Sequence, residues 1–239
     1  MDNHFDNIAA QYDADIPEHV RLHLLKKKPD KMLEILGGEF ALGAYGIDLG
    51  CGTGHYLGRM SDQGYHMVGL ENSQGMAEQA RKNNTARGLE VKIGSITDIP
   101  FADENFSFAY TINVLHHLQS QQHQKKALQE VKRILKKGGL FFIHEMNCDN
   151  IIFRFYMNYV FPMTSRIDDD ETEVWVPQKW IASNPVGGLK FVRVVRFTFI
   201  PNFIPHSIFG LACAMERFLE AVSGGQAGAH YMAVLRKDI

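Results

Sequence analysis

Cysteine is scarce in this chain, and what there is forms no pattern. Cys51, Cys148 and Cys213 are the only three, none lies in CxxC spacing, and an odd number cannot all pair. That excludes a disulfide framework and a thiolate metal knuckle, and it predicts free thiols in a reducing, cytoplasmic compartment. An excess of charge of one sign is also missing. Twenty-five Lys and Arg face 27 Asp and Glu, for a formal net charge of -2 and a pI of about 6.6. Nothing in that balance argues for nucleic acid, so the expectation is that none is a partner. Long apolar runs are absent. The most apolar stretch, IIFRFYMNYVFPM (151–163), is interrupted by Arg154, Asn158 and Pro162, too short and too broken for a transmembrane segment. The acidic, polar opening MDNHFDNIAAQYD does not read as a secretory signal.

What is present is the composition of a globular α/β protein: 45% hydrophobic and 22% charged over 239 residues. Residues 17–36 predict a helix, with Pro17 and Pro29 at first-turn positions, Leu22, Leu25, Leu33 and Leu36 giving the apolar spacing, and Gly37-Gly38 as the stop. Strands are predicted at 44–50, 65–71, 89–95, within 105–115 and at 140–146. Helices are predicted at 55–64, at 73–88 behind the N-cap Ser73, and at 124–139 with Gly138 at its C′ position. This alternation predicts a doubly wound, Rossmann-like, mostly parallel sheet. After 147 come an aromatic helix (149–163), a short helix in VPQKWIAS, strands at 189–200 and 229–237, and a helix at 206–222 between them. The whole predicts seven strands with an antiparallel C-terminal pair. It reads as one domain over 1–239: a helical segment (1–40), a cofactor-binding core (44–147) and a C-terminal substrate or lid part (148–239).

The run IDLGCGTGHY (47–56) carries glycines at alternate positions behind an acid. The dinucleotide fingerprint needs glycines at offsets 0, 2 and 5. From Gly50 the fifth offset is His55, and from Gly52 it is Leu57, so the fingerprint fails in both frames. No Gly-Lys-Ser or Gly-Lys-Thr offers a phosphate loop. Glu71, ending the second strand twenty-one residues after Gly50, is placed to accept hydrogen bonds from ribose hydroxyls. GSITDIPF and NVLHHL close the third and fourth strands at the same sheet edge.

Taken together, IDLGCGTGHY, VGLENS, GSITDIPF, FSFAYTINVLHHL and ALQEVKRILKKGGLFFIHE resemble the class I S-adenosylmethionine-dependent methyltransferases, nearest to the group that methylates small molecules such as ubiquinone and menaquinone precursors. The segment FDNIAAQYD is similar to the start of many of them, and the resemblance covers about residues 5–145. It implies that the cofactor is S-adenosyl-L-methionine, with S-adenosyl-L-homocysteine as product. It implies that Asp48 supports the loop and the ammonium, that Gly50, Cys51, Gly52 and Gly54 bring backbone amides to the methionyl tail, that Glu71 holds the ribose and that Asn72 flanks the adenine. Met76 and Asn113 complete the implied cofactor set. Many relatives end the third strand in Gly-Asp-Ala; here Ser95 and Ile96 stand in the last two places, so the adenine contact falls to them.

Methyl transfer from a sulfonium is an in-line displacement that needs mainly alignment, with a base only where the acceptor must lose a proton. His117, His144 and Tyr12 are the candidates for catalysis, with Glu145 an equal candidate for holding a loop. The aromatic 149–163 segment offers a lid over an apolar acceptor or a helix packed on the sheet. Arg154 and Arg166 are candidates for an acidic group on the acceptor, and the acid run 168–171 reads as an exposed loop. The eight histidines besides His117, His144 and their sheet-edge neighbour His116, with His230 among the eight, lack ligand spacing, and no metal is expected. The expected function is methylation of a small-molecule acceptor. A non-catalytic binder of the same cofactor and a nicotinamide-dependent oxidoreductase are the alternatives.

Overall fold

The computed structural model describes Asp6, Ala9 and residues 17–160, 174–198, 200, 204–223 and 228–239. Its elements in chain order are α1 (Glu18–Leu36), β1 (Tyr45–Leu49), α2 (His55–Asp62), β2 (His66–Glu71), α3 (Gln74–Asn83), β3 (Glu90–Ile93), β4 (Phe106–Ile112), α4 (Gln121–Ile134), β5 (Leu135–Met146), α5 (Ile151–Phe155) running into a π turn (Tyr156–Val160), α6 (Gln178–Ala182), β6 (Leu189–Phe197), α7 (His206–Ser223) and β7 (His230–Lys237). The seven strands are ordered β3-β2-β1-β4-β5-β7-β6. β1 to β5 pair in parallel, and β7 runs antiparallel between β5 and β6. The order reverses between β1 and β4, which opens the crevice where doubly wound sheets receive ligands.

Strand alternation divides the molecule into two cores. Ile47, Leu49, Phe141, Ile143 and Tyr231 face α4 and α6. Phe108, Tyr110, Phe142, Met232 and Val234 face α1 to α3. Asp48 is in register with Tyr110, Ile112 with His144, and His144 with Met232. Asp48, Tyr110, His144 and His230 therefore belong to the α1–α3 face. That placement gathers the polar groups of the site on one side.

Two predicted elements differ from the structure. Helix α4 stops at Ile134 rather than running to Gly138. Leu135 is extended and fully buried opposite Phe106, and residues 136–139 enter β5 through a register shift. The basic residues and glycine that read as a helix end are a bulged strand start, where pairing overrides local preference. In α1 the buried stripe is Val20, Leu24, Lys28, Met32 and Leu36, spaced by four. Leu22, predicted to face the core, is 51% exposed. Pro29 lies inside this helix, where it lacks the donor an interior position normally supplies. It is buried along with Lys28.

Candidate active site

The three loop glycines are glycine for three different reasons. A Cβ on Gly50 would meet Val114 Cγ2 at 2.6 Å, which presses this loop against the segment after β4. A Cβ on Gly54 would meet Asn84 Nδ2 at 2.6 Å and Ala80 Cα at 3.0 Å, which seats α2 against α3. A Cβ on Gly52 would meet nothing within 4 Å, and its backbone is left-handed at φ +53°. Gly52 is the member of the trio that borders open space.

The loop amides are committed internally. Gly50 and Cys51 N–H donate to Leu70 O at 2.7 and 3.1 Å, and Gly54 N–H donates to Cys51 O at 2.9 Å. Gly52 N–H donates to Glu71 Oε2 at 2.8 Å. The expected supply of amides from these residues to a methionyl tail is not what the geometry presents; the loop makes room instead. Glu71 Oε1 accepts from Asn72 and Ser73 N–H at 2.8 and 2.9 Å. Of the roughly four acceptor directions of a carboxylate, Oε2 keeps one unused by these three bonds.

Beneath the loop, Asp48 is 2% exposed and accepts from Tyr110 Oη at 3.0 Å. Burial pushes its pKa up to about 8, against the opposing pull of the Tyr110 bond and with help from the Glu71 charge. Cys51 turns into the core below Gly69, and burial raises its thiol well above its usual range. Met76 and Ile96 are also buried. Ser95 Oγ accepts from Thr97 N–H at 3.2 Å and closes its own turn. Asn72 is exposed.

At the end of β4, Asn113 adopts φ +57°, a left-handed geometry that Asn tolerates better than most residues. Its N–H donates to His144 O, and its Oδ1 accepts from His144 Nδ1, both at 3.0 Å. With Nδ1 carrying the proton, His144 Nε2 presents a lone pair; it is buried without a partner, as is His230 Nδ1. The two imidazoles stack with centroids 5.1 Å apart. Burial, with the nearby Lys28 charge, holds the His144 pKa well below its usual value and that of His230 at about 3. Both rings are neutral at physiological pH.

Glu145 takes the loop-holding role. Its Oε1 accepts from Leu115 N–H at 2.8 Å and its Oε2 from His116 Nδ1 at 2.5 Å. His117 is exposed, its ring beside that of His116. The structure thus brings Asp48, Gly52, Glu71, Asn113 and His144 to one sheet edge, and His117 follows β4 at the same edge as an exposed residue. Tyr12, Arg166 and the acid run 168–171 lie outside the described residues.

Two polar residues of this cluster were not singled out from the sequence. Lys28 is 3% exposed, and its Nζ lies 5.5 Å from the centroid of the Tyr56 ring. His230 begins β7 on the same face as Met232 and Val234. A signal existed for each: Lys28 completes the every-fourth-residue stripe of α1, and His230 falls in the two-residue alternation of β7.

Residues 47–143 match the family described as Methyltransferase domain. Over these residues the chain carries a methyltransferase domain. This is an S-adenosylmethionine-dependent family, and the domain's residues fit that cofactor: an open face at Gly52, a remaining acceptor direction on Glu71, and a buried carboxyl at Asp48 for a cationic group. The yeast tRNA (carboxymethyluridine(34)-5-O)-methyltransferase is 35% identical over 103 residues, 43% of this chain and 36% of that protein. The probable tRNA methyltransferase 9B of Bos taurus is 34% identical over 139 residues, 56% of this chain and 26% of that protein. The chain thus spans about a quarter to a third of these curated relatives. A putative methyltransferase of Haloferax volcanii, solved with the Trm112 methyltransferase activator, shares the fold with TM-score 0.69 and 18% identity over the full length of both chains. These relatives overturn the expectation of a small-molecule acceptor with no nucleic-acid partner. Whole-chain charge balance does not decide the question, because it averages over a surface whereas a nucleic acid meets one local patch. Among the described residues, no helix is long and apolar enough to cross a membrane.

Proposed function

We propose that this chain transfers a methyl group to an oxygen on a nucleoside of RNA. The reading is carried by the joint arrangement at the sheet edge, Gly52 open above Asp48 with Glu71 and the Asn113–His144 pair beside it, in a domain whose curated relatives are named for tRNA. When bound, the cofactor supplies a methyl already activated on a sulfonium. The protein's task is then alignment and exclusion of water, which alone accounts for large accelerations. Glu71 and the Gly52 face hold one side. Asn113 and His144 wall the other, with the imidazole fixed in one tautomer by the Asn113 bond. The part from 148 onward supplies the acceptor side.

The test is transfer of labelled methyl from S-adenosylmethionine to total tRNA and to synthetic anticodon stem-loops. Label in RNA together with release of S-adenosylhomocysteine is the expected outcome. Tight cofactor binding with no label in any RNA would sink this reading and favour the non-catalytic binder.

A further inference from the structure

Helix α7 is amphipathic in the reverse of the usual sense. Of its 18 residues, the one that is buried is a glutamate, Glu216. Glu216 accepts from His23 Nε2 at 2.8 Å, from Lys27 Nζ at 2.6 Å and from Thr198 Oγ1 at 2.7 Å, and Glu220 Oε1 accepts from Lys27 Nζ at 2.6 Å. Phe209 sets its ring edge-on to those of His19 and His23. These ties hold α7 on α1. The other large apolar side chains of the helix stand in solvent: Ile208, Leu211, Met215, Phe218, Leu219 and Val222 are between 39% and 70% exposed.

Five of the six, at 208, 211, 215, 218 and 222, follow the three-four spacing of a helix–helix seam. At these exposures the six present roughly 600 Å² of apolar surface, the top of the range a monomer shows in one patch and one side of the smaller stable interfaces. The positions flanking the seam, Ser207, Ala212, Ala214, Leu219 and Ala221, carry no charge. Flanking charges are what specify a foreign helix, and what seat an amphipathic helix on an anionic lipid surface. A seam without them is one that a second copy meets with no like charges opposed.

We propose that α7 is a homodimer interface, two copies of the helix packing antiparallel about a two-fold axis with Ile208 against the partner's Phe218 and Leu211 against the partner's Met215. The contact is isologous and closes on itself. Antiparallel pairing opposes the two helix dipoles. It also sets the aromatic ring and the thioether against branched side chains, so that large and small groups interdigitate along the seam. The small flanking residues let the two helices approach closely. Because β6 ends level with β5, both opposite His230, α7 departs from the sheet edge that carries the site, and the dimer joins two chains on that side.

The test is the mass of the full chain in solution, by light scattering and sedimentation equilibrium at micromolar concentration. Twice the 27.1 kDa of one chain is expected. Leu211→Glu and Phe218→Glu are each expected to weaken the dimer about thirtyfold or more, the scale of losing a buried interface anchor. Arg217→Gln, turned away from the seam, is expected to leave it unchanged. Met215→Lys is expected to be monomeric alone, and mixing it with Leu211→Glu to restore a mixed dimer, because the two new charges meet only in the antiparallel pairing. Recovery on mixing also shows that both variants fold. A monomeric wild type, a dimer that survives Leu211→Glu and Phe218→Glu, or two variants that stay apart when mixed overturns the proposal. So does a monomeric wild type that sediments with phosphatidylglycerol vesicles, which would make the face a lipid-docking surface.

Discussion

Glu71 Oε2 accepts the Gly52 amide at 2.8 Å, so the carboxylate placed for a ribose is also the clasp of the loop that makes room for the cofactor. Glu71→Ala is expected to weaken S-adenosylmethionine by about 1–3 kcal/mol, the cost of losing a charged hydrogen bond, and to lower Tm as well, because three backbone N–H groups lose their acceptor. Glu71→Gln, which keeps one oxygen, is expected to fall between. Calorimetry and melting of the three proteins check this; unchanged affinity in Glu71→Ala would place the ribose elsewhere.

Gly52 and Gly54 lie two residues apart, and alanine at each is expected to fail differently. At Gly52 the methyl enters open space, so the fold survives at about 1 kcal/mol for the left-handed backbone, while cofactor affinity drops because the cofactor's space is filled. At Gly54 the methyl strikes Asn84 and Ala80, so Tm falls first. Calorimetry beside thermal melts separates the two, and a Gly52→Ala protein that binds normally would refute the loop assignment.

Asp48 gives a pH dependence with a definite sign. Its folded-state pKa is pushed from 3.8 up to about 8 by burial. A carboxyl raised in the fold contributes stability that is complete below pH 3.8 and is lost as pH rises through about 8. Asp48→Asn is therefore expected to gain Tm relative to wild type steadily between pH 4 and 9. His230 acts oppositely: its pKa, lowered from 6.5 to about 3, adds stability above pH 6.5 that is lost as pH falls toward 3. Scanning fluorimetry across pH on Asp48→Asn and His230→Gln checks both; a difference curve that is flat for either variant would contradict the burial of that group.

Glu145→Ala strands the Leu115 amide and His116 Nδ1 in the interior. Breaking a buried pair in this way is expected to cost about 3–5 kcal/mol, read as a shift in the urea midpoint. A shift under about 1 kcal/mol would show the tether to be idle, since that is the scale of exposed pairs.

Much of this arrangement was legible in the chain. The runs AYGIDLG and LFFIHEM read as strands and lie in β1 and β5, and Ser73 was read correctly as the cap of α3, accepting from Met76 N–H at 3.2 Å. The end of α4 was not legible, because Lys136, Lys137 and Gly138 suit a helix terminus by every local rule; only the pairing of Leu135 with Phe106 decides otherwise. Lys28 was hidden by its neighbours. A run of three lysines reads as a solvated face, and the third falls inward only because the helix turns it onto the line of Leu24 and Met32. The likeness to proteins named for tRNA was invisible to composition.

Asn113 closes β4 with a backbone that bulky side chains resist and a side chain that fixes the tautomer of His144. These two demands fall on one position, so ordinary drift cannot relax them separately. Glycine would satisfy the turn and release the ring; glutamine would reach toward the ring and strain the turn; aspartate would keep both contacts and import a charge. A single residue thus acts as a latch between the shape of the chain and the chemistry of its wall. Whichever acceptor the domain serves, a change of specificity that requires the ring to turn over must begin at this asparagine rather than at the histidine itself.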